Sequence, residues 1–140
     1  MTAHGHWIDL TLTNSQVFVH GIGIGFMHYL ALIAALPSDV PVYLVEWPHV
    51  SMQVTSGGSV PSISTTVSTI RARLEADGHS QACFLGHSLG TTAVAWMLHD
   101  KRARSMVASC VLLDPVTFML MDSGVAYNFI HRKPSSVIEV

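Results

Sequence analysis

Charge is scarce in this chain, with Asp, Glu, Lys and Arg making up 11% of 140 residues and seven basic side chains set against nine acidic ones. Without a broad basic field there is nothing to hold a nucleic-acid backbone, so nucleic acid is not an expected partner. Long apolar runs are also missing. Phe26 to Leu36 carries His28 and stops at Pro37, and Val111 to Met121 is broken by Asp114 and Pro115, so neither reaches the length that spans a bilayer. The first twenty residues contain no Lys or Arg and no compact apolar block ending in small residues. No secretory signal is read there, which points to the cytoplasm.

Cysteine is sparse as well. Cys83 and Cys110 both fall in apolar stretches, without C-x-x-C or other metal-ligand spacing, and are expected to be buried free thiols. The nine histidines are scattered rather than paired at helical spacing, so no metal site is expected, and no cofactor is required.

What remains is an apolar chain, 49% hydrophobic, of a size for one domain with a real core. Gln16 to His20 reads as a strand entering a glycine cluster, and Phe26 to Leu36 as a helix with Phe26, Leu30, Ile33 and Ala34 on one side. Val42 to Glu46 is a second strand, ended by Trp47-Pro48, and Ser51 to Ser59 is loop. Val60, Ile63, Val67, Ile70 and Leu74 recur at spacings of three and four, which predicts a helix with Pro61 near its start and Gly78 just past its end. Gln81 to Leu85 is a third strand, Leu89 to His99 a helix with Ala93, Val94 and Met97 inward, and Val107 to Leu113 a fourth, continuously apolar strand. Unbroken apolar strands alternating with amphipathic helices imply an α/β fold, a mostly parallel sheet with helices on both faces.

Chemistry enters at Gly86-His87-Ser88-Leu89-Gly90. A serine hydroxyl is a weak nucleophile unless it is exposed, given a base and provided with donors for the oxyanion that forms. The pattern G-x-S-x-G between a strand and a helix meets the first need, and Gly86 and Gly90 stand where side chains would collide with the neighbouring elements. A capping serine in an ordinary glycine-rich turn is the plain alternative. The second signal is His20-Gly21-Ile22-Gly23-Ile24-Gly25, directly after the first strand. Such a loop can aim a backbone N–H at the oxyanion: Ile22 is the expected donor, with Gly23 in reserve, and Leu89, after the nucleophile, supplies the other. A dinucleotide loop is the competing reading; its last glycine position is Phe26, and its acidic partner would be Asp39 or Glu46.

A nucleophile loop and an oxyanion loop from two strand ends are the recurring pair of the α/β-hydrolase superfamily, which this chain resembles from about Gln16 to Pro115. The resemblance implies acyl-transfer or ester hydrolysis and matches the third to sixth strands of an eight-stranded sheet, so a partial domain is expected, with residues 116–140 a possible start of a cap. In the family's order an acid and then a histidine follow the serine. Asp114, at the end of the strand after the elbow helix, stands where some members carry the acid; otherwise it caps a helix or positions a loop. Asp122 is a further candidate. His131 is the histidine after Asp114, read either as the base or as a surface residue. His87 is expected to pack under the serine and His20 to shape its loop by hydrogen bonding, which leaves the base outside this chain. Expected is a Ser88 acyl-enzyme acting on a hydrophobic ester, thioester, lactone or amide. The alternative is a non-catalytic module that binds a small hydrophobic ligand or a partner protein.

Overall fold

The computed structural model describes residues 15–53, 60–116, 118 and 122–131. Four strands, β1 (Gln16–Val19), β2 (Val42–Val45), β3 (Ala82–His87) and β4 (Val107–Leu113), form one sheet in the order β2-β1-β3-β4. Every pairing is parallel, with Val17 opposite both Tyr43 and Phe84, and Gly86 opposite Leu112. A parallel pair needs a long crossover, and each is supplied by a helical segment: α1 (Leu30–Ala35), α2 (Ile63–Ala76) and α3 (Gly90–His99). A fourth helix, α4 (Ser123–His131), follows β4.

Alternation along the central strands divides the core in two. Val17 and Val19 of β1 and Phe84 of β3 face α2 and α3, where Val67, Ile70, Leu74, Ala93, Val94 and Met97 close over them. Phe18, Cys83 and Leu85 point the other way and pack with Tyr29 and the inner side of α1. Because β1 is buried on both faces, four residues suffice to anchor it; full burial of Phe18 alone is worth about 1.5–3 kcal/mol.

α2 is bounded by signals local to the chain. The Ser62 hydroxyl accepts the Thr65 N–H at 3.1 Å, and at the other end Gly78, at φ +80°, lets His79 N–H reach the Leu74 carbonyl at 2.8 Å. Two expected core positions lie outside this frame. Val60 precedes the helix and Ile63 sits on its first turn, and both are exposed. The segment after β1 also differs from the expected helix over residues 26–36. It opens with a 3₁₀ turn at Met27–Tyr29, whose tighter winding shifts the phase, so Tyr29 is turned inward while Leu30 and Ala34 face solvent.

β4 departs from the reading of a strand buried throughout. Ala108 and Cys110 are exposed, because α3 packs chiefly over β3 and only partly reaches this outer strand. Cys83 is buried as expected, and both thiols are free. No helix among the described residues is long and apolar enough to cross a membrane.

Candidate active site

The carboxyl ends of the strands converge on one edge of the sheet, where parallel α/β folds place their ligands. β3 runs through Gly86 and His87 into a turn at Ser88, and α3 starts two residues later at Gly90. Ser88 sits at φ +48°, a left-handed conformation that an L-residue adopts at a cost of about 1–2 kcal/mol. What holds it there is hydrogen bonding on both sides. Its N–H donates to the Leu113 carbonyl at 2.9 Å, and its own carbonyl accepts the Thr91 N–H at 3.0 Å and the Thr91 hydroxyl at 2.7 Å.

The flanking glycines are dictated by contact. A Cβ on Gly90 would lie 2.1 Å from the Val19 carbonyl oxygen, and one on Gly86 would lie 2.9 Å from the Thr91 Cα. α3 therefore meets β1 at Gly90 and β3 at Gly86, backbone against backbone, with Ser88 in the turn between them.

The glycine loop after β1 closes against this turn. A Cβ on Gly21 would come within 2.9 Å of the Ser88 Cβ and 3.0 Å of the His87 Nδ1. His20 is completely buried beneath the loop and links it to the end of β2: the Trp47 N–H donates to His20 Nε2 at 3.0 Å, which leaves the ring proton on Nδ1, where it is donated to the Gly21 carbonyl at 2.6 Å. Gly23 N–H is committed to the Val50 carbonyl at 3.0 Å and Gly21 N–H to the Tyr29 hydroxyl at 3.0 Å. Among the described residues, the N–H groups of Ile22 and Leu89 find no acceptor. Glu46, one of the two acidic residues considered for a dinucleotide loop, accepts Gln53 Nε2 at 2.7 Å.

His87 is partly buried beside Ser88, with the Tyr29 hydroxyl 2.6 Å from its Nδ1. Burial pushes its pKa below the ordinary histidine value; the Asp114 carboxylate opposes that shift, and His28 adds to it. Asp114 follows β4 at φ +46° and is exposed. The bond from Ser88 to Leu113 thus brings an acid within electrostatic reach of the elbow. Among the described residues, no hydrogen bond makes Asp114 a helix cap. Asp122 is one, accepting the Gly124 N–H at 2.8 Å at the start of α4. His131 lies exposed at the other end of that helix with its ring 4.7 Å from that of Tyr127, and no hydrogen bond joins it to Ser88 or Asp114. Among the described residues, no group of three or more His, Cys, Asp or Glu side chains is placed to hold a metal ion.

Next to Leu89 lies a cavity of about 220 Å³ whose walls include Trp47, Val60, Pro61, Leu89, Thr92 and Trp96 and are almost wholly apolar. Of the proposed cap segment, Phe118 and Tyr127 are exposed, while residues 119–121 lie outside the described part of the chain. Reading the sequence singled out Ser88, Asp114 and both loops, but passed over Tyr29 and His28. A buried tyrosine needs a partner for its hydroxyl, yet this partner is 58 residues away and invisible in a linear pattern.

A parallel sheet with helices on both faces and a left-handed serine turn between β3 and α3 defines an α/β architecture. Comparison with family models makes this specific: the alpha/beta hydrolase family matches residues 16–138, and the chain belongs to it. Comparison with curated proteins finds no significant match, and neither does comparison with solved structures.

Proposed function

We propose that this protein is a serine hydrolase in which Ser88 attacks the carbonyl of a hydrophobic ester, thioester or lactone to form an acyl-enzyme. The observation that carries the reading is Ser88 at φ +48° with the glycine loop closed against it. Nucleophile and donors would then be in place before substrate arrives, which is what stabilisation of an oxyanion requires. In this reading Ile22 and Leu89 are the donors: both amides are unengaged, Leu89 directly follows Ser88, and Ile22 follows Gly21, which lies against Ser88. Asp114 is the acidic group of the site. The apolar cavity beside Leu89 suits a hydrophobic acyl group.

No histidine nitrogen is hydrogen-bonded to the Ser88 hydroxyl among the described residues, so turnover is expected to be slow. Serine hydrolases that lack one triad member still exceed the uncatalysed rate by about 10³–10⁴ through binding and the oxyanion hole. The test is time-resolved labelling with a fluorophosphonate, beside Ser88→Ala, with circular dichroism on both. Labelling that vanishes in the variant supports the reading. A folded chain that never labels refutes it and favours a non-catalytic module that binds a hydrophobic ligand in the same cavity.

A further inference from the structure

The geometry assigns Tyr29 as a positioning residue: its hydroxyl locks the loop carrying Ile22 onto the elbow carrying Ser88, and the lock closes only while the His87 ring is neutral. The assignment of a catalytic purpose rests on the serine-hydrolase reading above; the lock itself does not.

Tyr29 is buried, and its oxygen stands between the two loops, 3.0 Å from Gly21 N and 2.6 Å from His87 Nδ1. The phenol has one proton to give. Since Gly21 N–H can only donate, Tyr29 accepts there and gives its proton to His87 Nδ1, so the neutral ring carries its own proton on Nε2. The rings meet edge to face with centroids 5.3 Å apart, and Tyr29 is wedged from behind by Phe18 at 5.0 Å. The hydroxyl is thereby held in one place, and Gly21 is the residue before Ile22 just as His87 is the residue before Ser88. One side chain therefore ties the residue before the proposed oxyanion donor to the residue before the nucleophile.

Protonation of His87 reverses the polarity of one arm. Nδ1 becomes a donor, the Tyr29 oxygen faces two donors, and its own proton is left without an acceptor among the described residues. The titratable groups that face His87 are Tyr29 itself, His28 beside it and Asp114 from the end of β4. Burial, the largest influence, favours the neutral ring, so the lock is held at neutral pH and opens as pH falls below the ordinary histidine value.

The test is nitrogen-15 NMR of the full chain across pH, with fluorophosphonate labelling measured in parallel. In the unmodified protein His87 should be protonated at Nε2 and not at Nδ1, and the Gly21 and Ile22 amide shifts should follow the His87 titration. Tyr29→Phe should uncouple those shifts, move the His87 midpoint upward, and slow labelling by about tenfold to a hundredfold, the scale of a small misplacement of reacting groups. Tyr43→Phe, which removes an exposed hydroxyl bonded to Asp77, should change none of these. A ring protonated at Nδ1, amide shifts indifferent to His87, or labelling unchanged in a folded Tyr29→Phe each overturns the proposal. An unmodified chain that shows the tautomer and the coupled shifts but never labels supports the lock and overturns the hydrolase reading instead.

Discussion

Gly90 and Val19 are in backbone contact: a Cβ on the glycine would lie 2.1 Å from the Val19 carbonyl oxygen and 2.7 Å from that of His20. Neither oxygen can retreat, because Val19 is paired in the central strand and His20 begins the loop buried beside the elbow. Gly90→Ala is therefore expected to destabilise the fold by about 3 kcal/mol or more, through overpacking against rigid backbone. Gly78→Ala makes a useful contrast, since that site is open and only its φ of +80° is unfavourable; about 1 kcal/mol is expected. Urea unfolding of both variants checks the difference.

The strain at Ser88 leads to a prediction of opposite sign. Glycine tolerates φ +48° freely, while its looser unfolded chain offsets part of the gain. Ser88→Gly should thus be as stable as the original protein or up to about 1 kcal/mol more so, with all covalent labelling lost. A midpoint clearly lower than that of the original would show that the turn is not strained.

His87 supplies the pH dependence. Its pKa is lowered in the folded protein, so the neutral ring is favoured there. Its contribution to stability is present above the unfolded value of about 6.5 and is lost as pH falls through the folded pKa. Asp114→Asn removes the influence that opposes burial and should lower the His87 midpoint further; His28→Ala should raise it. Proton NMR titration of the imidazole resolves the two directions, and shifts of the same sign would contradict the arrangement of these three groups.

Thiol accessibility tests the position of β4. Cys110 is exposed, whereas Cys83 is buried and burial pushes its thiol pKa up. A maleimide should modify Cys110 quickly in the native protein and Cys83 only after denaturation, as mass spectrometry of the digested protein would show. Equal native rates would mean that the core face of β3 is open.

Runs of apolar residues and their punctuation were enough to foresee four strands, the crossover helices and the serine turn, because these depend on local periodicity and on neighbours in sequence. Gly78 ends α2 by bonds spanning only a few residues, so that stop was legible in the chain; the start was read from Pro61, whereas the cap is Ser62. Ser88 and the glycine loop were legible for a related reason: tight turns restrict which residues can occupy them, and that restriction leaves a pattern.

Other features depended on which elements lie side by side. A 3₁₀ turn turned Tyr29 rather than Leu30 inward, and the partial reach of α3 left Cys110 exposed on a strand that reads as wholly apolar. Asp114 and Asp122 look equivalent as text, yet the bond from Ser88 to Leu113 brings one to the elbow while the other caps α4. The sequence by itself determined the parallel α/β architecture and the identity of the serine in the turn, since both follow from local patterning. Only the tertiary structure decided that Tyr29 joins Gly21 to His87, because a hydrogen bond between groups 58 residues apart depends on how the sheet brings its strand ends together.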